Sequence, residues 1–84
     1  MDRNRAIVIF QIVKEGREVD LDIPLYISAN DLVIALNEAY HLEIDVTDIK
    51  HCYLKSENPI ALLKGNKTLA EFGIRNGSTI IFDK

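Results

Sequence analysis

Cysteine, proline and tryptophan are almost missing from these 84 residues: there is one cysteine, there are two prolines, and there is no tryptophan. A lone Cys52 cannot close an internal disulfide or build a cysteine-based zinc site. No apolar run approaches the roughly 18–20 residues that cross a bilayer. Nor does the segment at Met1 have the charged-then-apolar form of a signal peptide, so the expected location is cytoplasmic. Glycine is sparse as well. Gly16, Gly65, Gly73 and Gly77 each punctuate a different turn, so no glycine-rich phosphate cradle exists. Lys and Arg number 10 against 13 Asp and Glu, a formal charge of −3, with no basic stripe interleaved with aromatics. That excludes nucleic acid as an expected partner.

What is abundant is aliphatic. Leu, Ile, Val and Phe make up 29 of the 84 residues, well above the level at which chains stay disordered. A chain of this length buries about 60–65% of its unfolded surface, enough for one modest core, so residues 1–84 are expected to form one domain. Charge is segregated. Residues 1–17 carry a net +2, residues 18–48 hold eight acids and no base, and the remainder carries a net +3. The asymmetry reads either as ordinary solvated surface or as a polarised particle that docks in one orientation.

The isoleucines and valines cluster in short runs that favour strands. Residues 6–13 form an apolar run of buried-strand length, and Gly16 supplies a turn. Val19, Leu21 and Ile23 then alternate with Glu18, Asp20 and Asp22, a half-buried strand that closes a hairpin and stops at Pro24. Ser28 can cap a helix, with Asp31 three residues on, and Leu32, Ala35, Leu36, Ala39 and Tyr40 form an apolar stripe. Leu42 and Ile44 are expected to be buried in the exit loop. A third strand is predicted over 49–55, a fourth over 60–63 and a last over 78–82, with a helical turn at 68–72 and a tight turn at Asn76-Gly77. The order β-β-α-β-β-(turn)-β packs most economically as an α+β β-grasp: a mixed five-stranded sheet with one main helix across one face.

Catalytic constellations are thin. His51 and Cys52 are adjacent on a predicted strand, where neighbours point to opposite faces, so they cannot pair as base and nucleophile. His41 with Cys52 lacks an identifiable orienting partner. Glu43, Asp45 and Asp48 match no calcium loop and read as a solvated acidic loop. No catalytic residue, metal ligand or cofactor site is therefore expected, and the chain reads as non-enzymatic.

Residues 67–80, from Lys67-Thr68-Leu69-Ala70-Glu71-Phe72-Gly73-Ile74 through Asn76-Gly77-Ser78-Thr79-Ile80, resemble the corresponding segment of ubiquitin. The spacing of Gly16, Val19, Leu21, Ile23, Ser28, Leu32 and Leu36 also follows ubiquitin without a gap. Ubiquitin and the sulfur carriers of this fold work through a C-terminal Gly-Gly. Here only Asp83-Lys84 follow the last strand, so neither conjugation nor sulfur carriage is expected unless the natural terminus is longer. A ubiquitin-like chain of about this length, with the Ile-x-Asn-Gly turn at Ile74 to Gly77 and an end on the last strand, is similar to the YukD/EsaB family. Those proteins are cytosolic accessories of the type VII (WXG-type) secretion systems of Gram-positive bacteria. The resemblance implies an adaptor that binds membrane-associated secretion components and does not itself enter the membrane. The alternative it leaves is an interaction module of another complex.

Ubiquitin binds partners through the open face of its sheet, and an apolar row there would mark a contact site. Ubiquitin-like spacing puts Ile7, Ile9 and Gln11 inward and Val8, Phe10 and Ile12 outward. Burying the Gln11 amide unpaired costs roughly 1–3 kcal/mol and favours the opposite register. Either register leaves an apolar row outside. The Thr-Ile-Ile-Phe match sends Ile80 and Phe82 into the core and Thr79 and Ile81 out. The candidate partner-binding face is therefore Val8, Phe10, Ile12, Thr79 and Ile81, extended from the third strand by His51 or Tyr53, or else by Cys52 or Leu54. Its occupant is either a heterologous protein or, in a weak homodimer, a second copy.

Overall fold

The computed structural model describes residues 4–83; Met1, Asp2, Arg3 and Lys84, which enter the charge and terminus expectations above, lie outside them. Strand β1 (Arg5–Ile12) and strand β2 (Arg17–Pro24) form an antiparallel hairpin. One turn of 3-10 helix, Val13–Glu15, joins them, and Gly16 leaves it at φ +61, a left-handed conformation glycine adopts without Cβ strain. Helix α1 (Ala29–Tyr40) follows. Ser28 caps it, its Oγ accepting a hydrogen bond from the Asp31 N–H at 3.0 Å. Strands β3 (Leu54–Glu57), β4 (Ala61–Leu63) and β5 (Thr79–Phe82) complete a sheet of order β2-β1-β5-β3-β4. β1 and β5 are parallel and central, and the other neighbours are antiparallel.

The core lies between one face of this sheet and α1. Val8, Phe10, Ile12, Leu54, Leu63 and Ile80 are all essentially inaccessible, and Phe10 packs edge-to-face on Tyr40 with centroids 5.2 Å apart. Leu42 and Ile44 are buried after the helix. Asn37 holds that exit loop, its Oδ1 accepting from the Ile44 N–H at 2.9 Å and its Nδ2 donating to the Ile44 carbonyl. Two buried hydroxyls are satisfied. Ser56 Oγ donates to the Pro59 carbonyl, while Ser78 Oγ accepts from the Arg75 N–H and donates to the Asn58 carbonyl.

Four expectations are corrected. Val8, Phe10 and Ile12 are core residues and do not line the open face. The hairpin register decides this: Val8 sits opposite Leu21 and Phe10 opposite Val19, whereas Ile7, Ile9 and Gln11 sit opposite Asp22, Asp20 and Glu18. Cross-strand partners share a face, so turning Ile7 and Ile9 inward would carry three carboxylates into the core. The third strand begins at Leu54, five residues later than predicted. Side chains of Asp45 and Asp48 capture the N–H groups of Thr47 and Lys50, folding that stretch into turns and leaving Ile49 84% exposed. The fourth strand starts at Ala61, with Ile60 left 90% exposed in the preceding turn. The helix buries Ala29, Leu32, Val33 and Leu36, while Ala35 and Ala39 face out. The phase is turned because Val33 removes more apolar surface from water than either alanine.

Candidate functional site

With α1 covering one side of the sheet, the described residues leave the other side uncovered, and the strand registers specify its composition row by row. Ile7 lies beside Asp22. The next row runs Asp20, Ile9, Thr79, Glu57 across β2, β1, β5 and β3. The third runs Glu18, Gln11, Ile81, Lys55, Leu62 across all five strands. The face thus has an aliphatic centre of Ile7, Ile9 and Ile81, with Leu62 beyond Lys55. Ile7 is 50% exposed and Leu62 40%, while Ile9, Thr79 and Ile81 are half-buried among their neighbours.

Three of the surrounding carboxylates are engaged. Arg5 Nε binds Asp22 Oδ1 at 2.9 Å, Gln11 Nε2 donates to Glu18 Oε2 at 3.0 Å, and Lys55 Nζ binds Asp83 Oδ2 at 2.8 Å. The Asp83 carboxylate beside Lys55 holds its ammonium above the ordinary lysine range, first by hydrogen bonding and then by charge. Asp20 and Glu57 make no side-chain hydrogen bond or ion pair among the described residues.

Of the predicted face, Thr79 and Ile81 lie on the open side, and the three β1 residues do not. Ile7, Ile9 and Gln11 take their place. The signal was present in the chain: β2 alternates cleanly, and pairing β1 against it places the Gln11 parity opposite the acids. Of the residues expected to extend the face, Cys52 and Leu54 are buried, while His51 and Tyr53 precede β3, His51 exposed in a turn and Tyr53 half-buried.

The other candidates resolve into local structure. Cys52 Sγ lies 3.1 Å from Asn30 Oδ1 in the first turn of α1, while His41 forms the C-cap. Asn30 and His41 stand eleven positions apart along the helix, about 16 Å, so Cys52 and His41 are not brought together. His51 Nδ1 lies 2.6 Å from Asp48 Oδ2 at the surface. Asp45 accepts from the Thr47 hydroxyl and N–H, which hold its carboxyl below the usual aspartate range, the hydroxyl contributing more. Among the described residues no group of three or more His, Cys, Asp or Glu is placed to hold a metal ion. Nor is any described helix long and apolar enough to cross a membrane. A shallow groove of about 430 Å³ lies between the Val46–Cys52 turns and Lys64–Asn66.

A hairpin, a helix packed across one face, and a central parallel pair formed by the first and last strands define a ubiquitin-like β-grasp protein. Solved structures agree. The C-terminal ubiquitin-like domain of mouse tubulin-specific chaperone e superposes with a TM-score of 0.72 at 13% identity, covering 93% of this chain and 84% of that one. A de novo design based on ubiquitin matches at 0.65 with 18% identity, over 95% and 88% of the two chains. The ubiquitin-like domain of Plasmodium falciparum Dsk2 matches at 0.59 with 22% identity, over 92% and 96%. These likenesses establish the fold. Residues 7–82 match the family of YukD, a protein of the WXG100 protein secretion system, and the chain belongs to that family. No curated protein matches it.

Proposed function

We propose that this protein is a non-enzymatic adaptor of the WXG100 secretion system that docks membrane-associated components of the machinery from the cytosol through the open face of its sheet. The observation that carries the reading is the aliphatic stripe Ile7–Ile9–Ile81 on the uncovered side of a central parallel strand pair. A sheet with one face in water ordinarily alternates apolar-in and polar-out along its strands. β2 obeys that rule with Glu18, Asp20 and Asp22 outside, whereas β1 and β5 set aliphatic side chains on both faces. A contiguous apolar surface rimmed by polar groups is the usual form of a protein contact site.

The test is affinity capture from detergent-solubilised membranes of the source organism, comparing the wild type with Ile81→Asp. Recovery of secretion-membrane components by the wild type alone is the expected result. Equal recovery by both proteins would move the interface off the open face. Loss of the folded state in Ile81→Asp, read by circular dichroism, would show that Ile81 belongs to the core.

A further inference from the structure

We infer that the open face accepts an amphipathic α-helix whose apolar ridge is flanked on both sides by Lys or Arg. The inference rests on the docking reading above and adds the chemistry of the partner.

The row Asp20–Ile9–Thr79–Glu57 spans four adjacent strands. Neighbouring strands lie about 4.8 Å apart, so the backbone positions of its two terminal acids stand about 14 Å from one another with Ile9 and Thr79 between them. A helix with its side chains is about 10–12 Å across. Laid along the strands, it fills the space between the two acids. Basic residues on its flanks then reach them with their aliphatic stems lying over Ile9 and Thr79. From the Ile7 row to the Ile81 row the stripe runs four residues of strand, about 13 Å. That length accommodates about nine residues of helix, two and a half turns, enough for an i, i+3, i+4, i+7 ridge.

Charge selects among the occupants. Among the described residues, Glu18, Asp20, Asp22, Glu57 and Asp83 border the stripe against Arg5 and Lys55. Arg5, Gln11 and Lys55 already engage Asp22, Glu18 and Asp83, which leaves Asp20 and Glu57 as the carboxylates open to a partner's cations. A second copy laid face to face would set acid against acid, and an anionic bilayer surface or a nucleic acid would be repelled in the same way.

The experiment uses the full chain, isotope-labelled for NMR, and two synthetic helical peptides of about 18 residues. Both carry the same leucine ridge, flanked by Lys in one and by Glu in the other. The Lys-flanked peptide is expected to bind at least about tenfold tighter, the combined effect of two surface ion pairs gained and two repulsions avoided. It should shift the amides of Ile7, Ile9, Thr79 and Ile81. The preference should fade as salt rises well above about 0.15 M, where the screening length falls below about 8 Å. It should vanish or invert in the double variant Asp20→Lys/Glu57→Lys. Equal affinity for the two peptides, or an unchanged preference in the double variant, overturns the inference. Ile81→Asp separates the two readings. If it weakens both peptides while the charge reversal does nothing, the docking face stands and its charge selectivity falls. If neither variant matters and the shifts map elsewhere, both fall. A concentration-dependent dimer that buries these same amides without peptide replaces the helix with a second copy and also overturns the inference.

Discussion

Truncating Val8 to alanine is expected to destabilise this protein more than truncating the larger Ile7 beside it. The two residues are neighbours on β1, but Val8 is fully buried opposite Leu21 while Ile7 is 50% exposed opposite Asp22. Val8→Ala removes two methyl groups from a packed interior. At roughly 0.8 kcal/mol per buried carbon, the transfer term is about 1.6 kcal/mol, and a residual cavity raises it to about 2–2.5 kcal/mol. Ile7→Ala removes three carbons that already face water over half their area and leaves no cavity, so its burial term is about 1 kcal/mol. The lower strand propensity of alanine, which spans up to about 1 kcal/mol, applies to both variants and cancels in the comparison. The difference of about 1–1.5 kcal/mol is a large share of a total stability of about 4–12 kcal/mol for a chain of this size. Urea unfolding followed by circular dichroism measures it. With a slope of about 1 kcal/mol per molar, the two midpoints should differ by about 1 M or more. If Ile7→Ala is the more damaging, the parity of β1 is reversed and the open face is the one that ubiquitin-like spacing implied. Val8→Asp and Ile7→Asp give the same test in all-or-none form, because only the first buries a carboxylate without a partner.

Three other outcomes follow from the packing. Leu36→Asp places a charge in the buried stripe of α1 and should abolish the native circular dichroism spectrum. Ser78→Ala strips partners from the Arg75 N–H and the Asn58 carbonyl, and should cost about 1–3 kcal/mol in urea unfolding, with faster amide exchange at Arg75. Thr47→Val should raise the Asp45 carboxyl toward its ordinary value in an NMR pH titration, because it removes the largest of the hydrogen bonds that lower it. The depressed Asp45 favours the folded state above the ordinary aspartate value and loses that effect as pH falls through its own lower one. The Thr47→Val variant should therefore show a shallower acid limb.

The element order, the capped helix, the turns at Gly16 and Gly77 and the acidic alternation of β2 were legible in the chain because each depends on near neighbours. Ser28 caps with an N–H three residues away, and Gly16 needs only its own φ. The inward parity of Ile80 and Phe82 was legible too, through the resemblance of that segment to ubiquitin. The face presented by β1 was not readable from β1 alone. Ile7, Ile9 and Val13 stand on one parity and Ala6, Val8, Phe10 and Ile12 on the other, so its own sequence has apolar residues on both sides. The cost of burying the Gln11 amide leaned toward the observed parity, and pairing to β2 settles it, since one register turns Val19, Leu21 and Ile23 toward the core and the other would bury three carboxylates. The third strand was placed too early for a related reason. Ile49 to Lys55 has strand-like composition, but the carboxylates of Asp45 and Asp48 bond nearby backbone N–H groups and hold the chain in turns until Tyr53. The stretch joins the sheet only where β5 offers a ladder to Lys55, Ser56 and Glu57. Local chemistry thus determined which elements form. Long-range pairing decided which residues face outward, and brought Asp20 and Glu57, distant along the chain, to the two ends of one row.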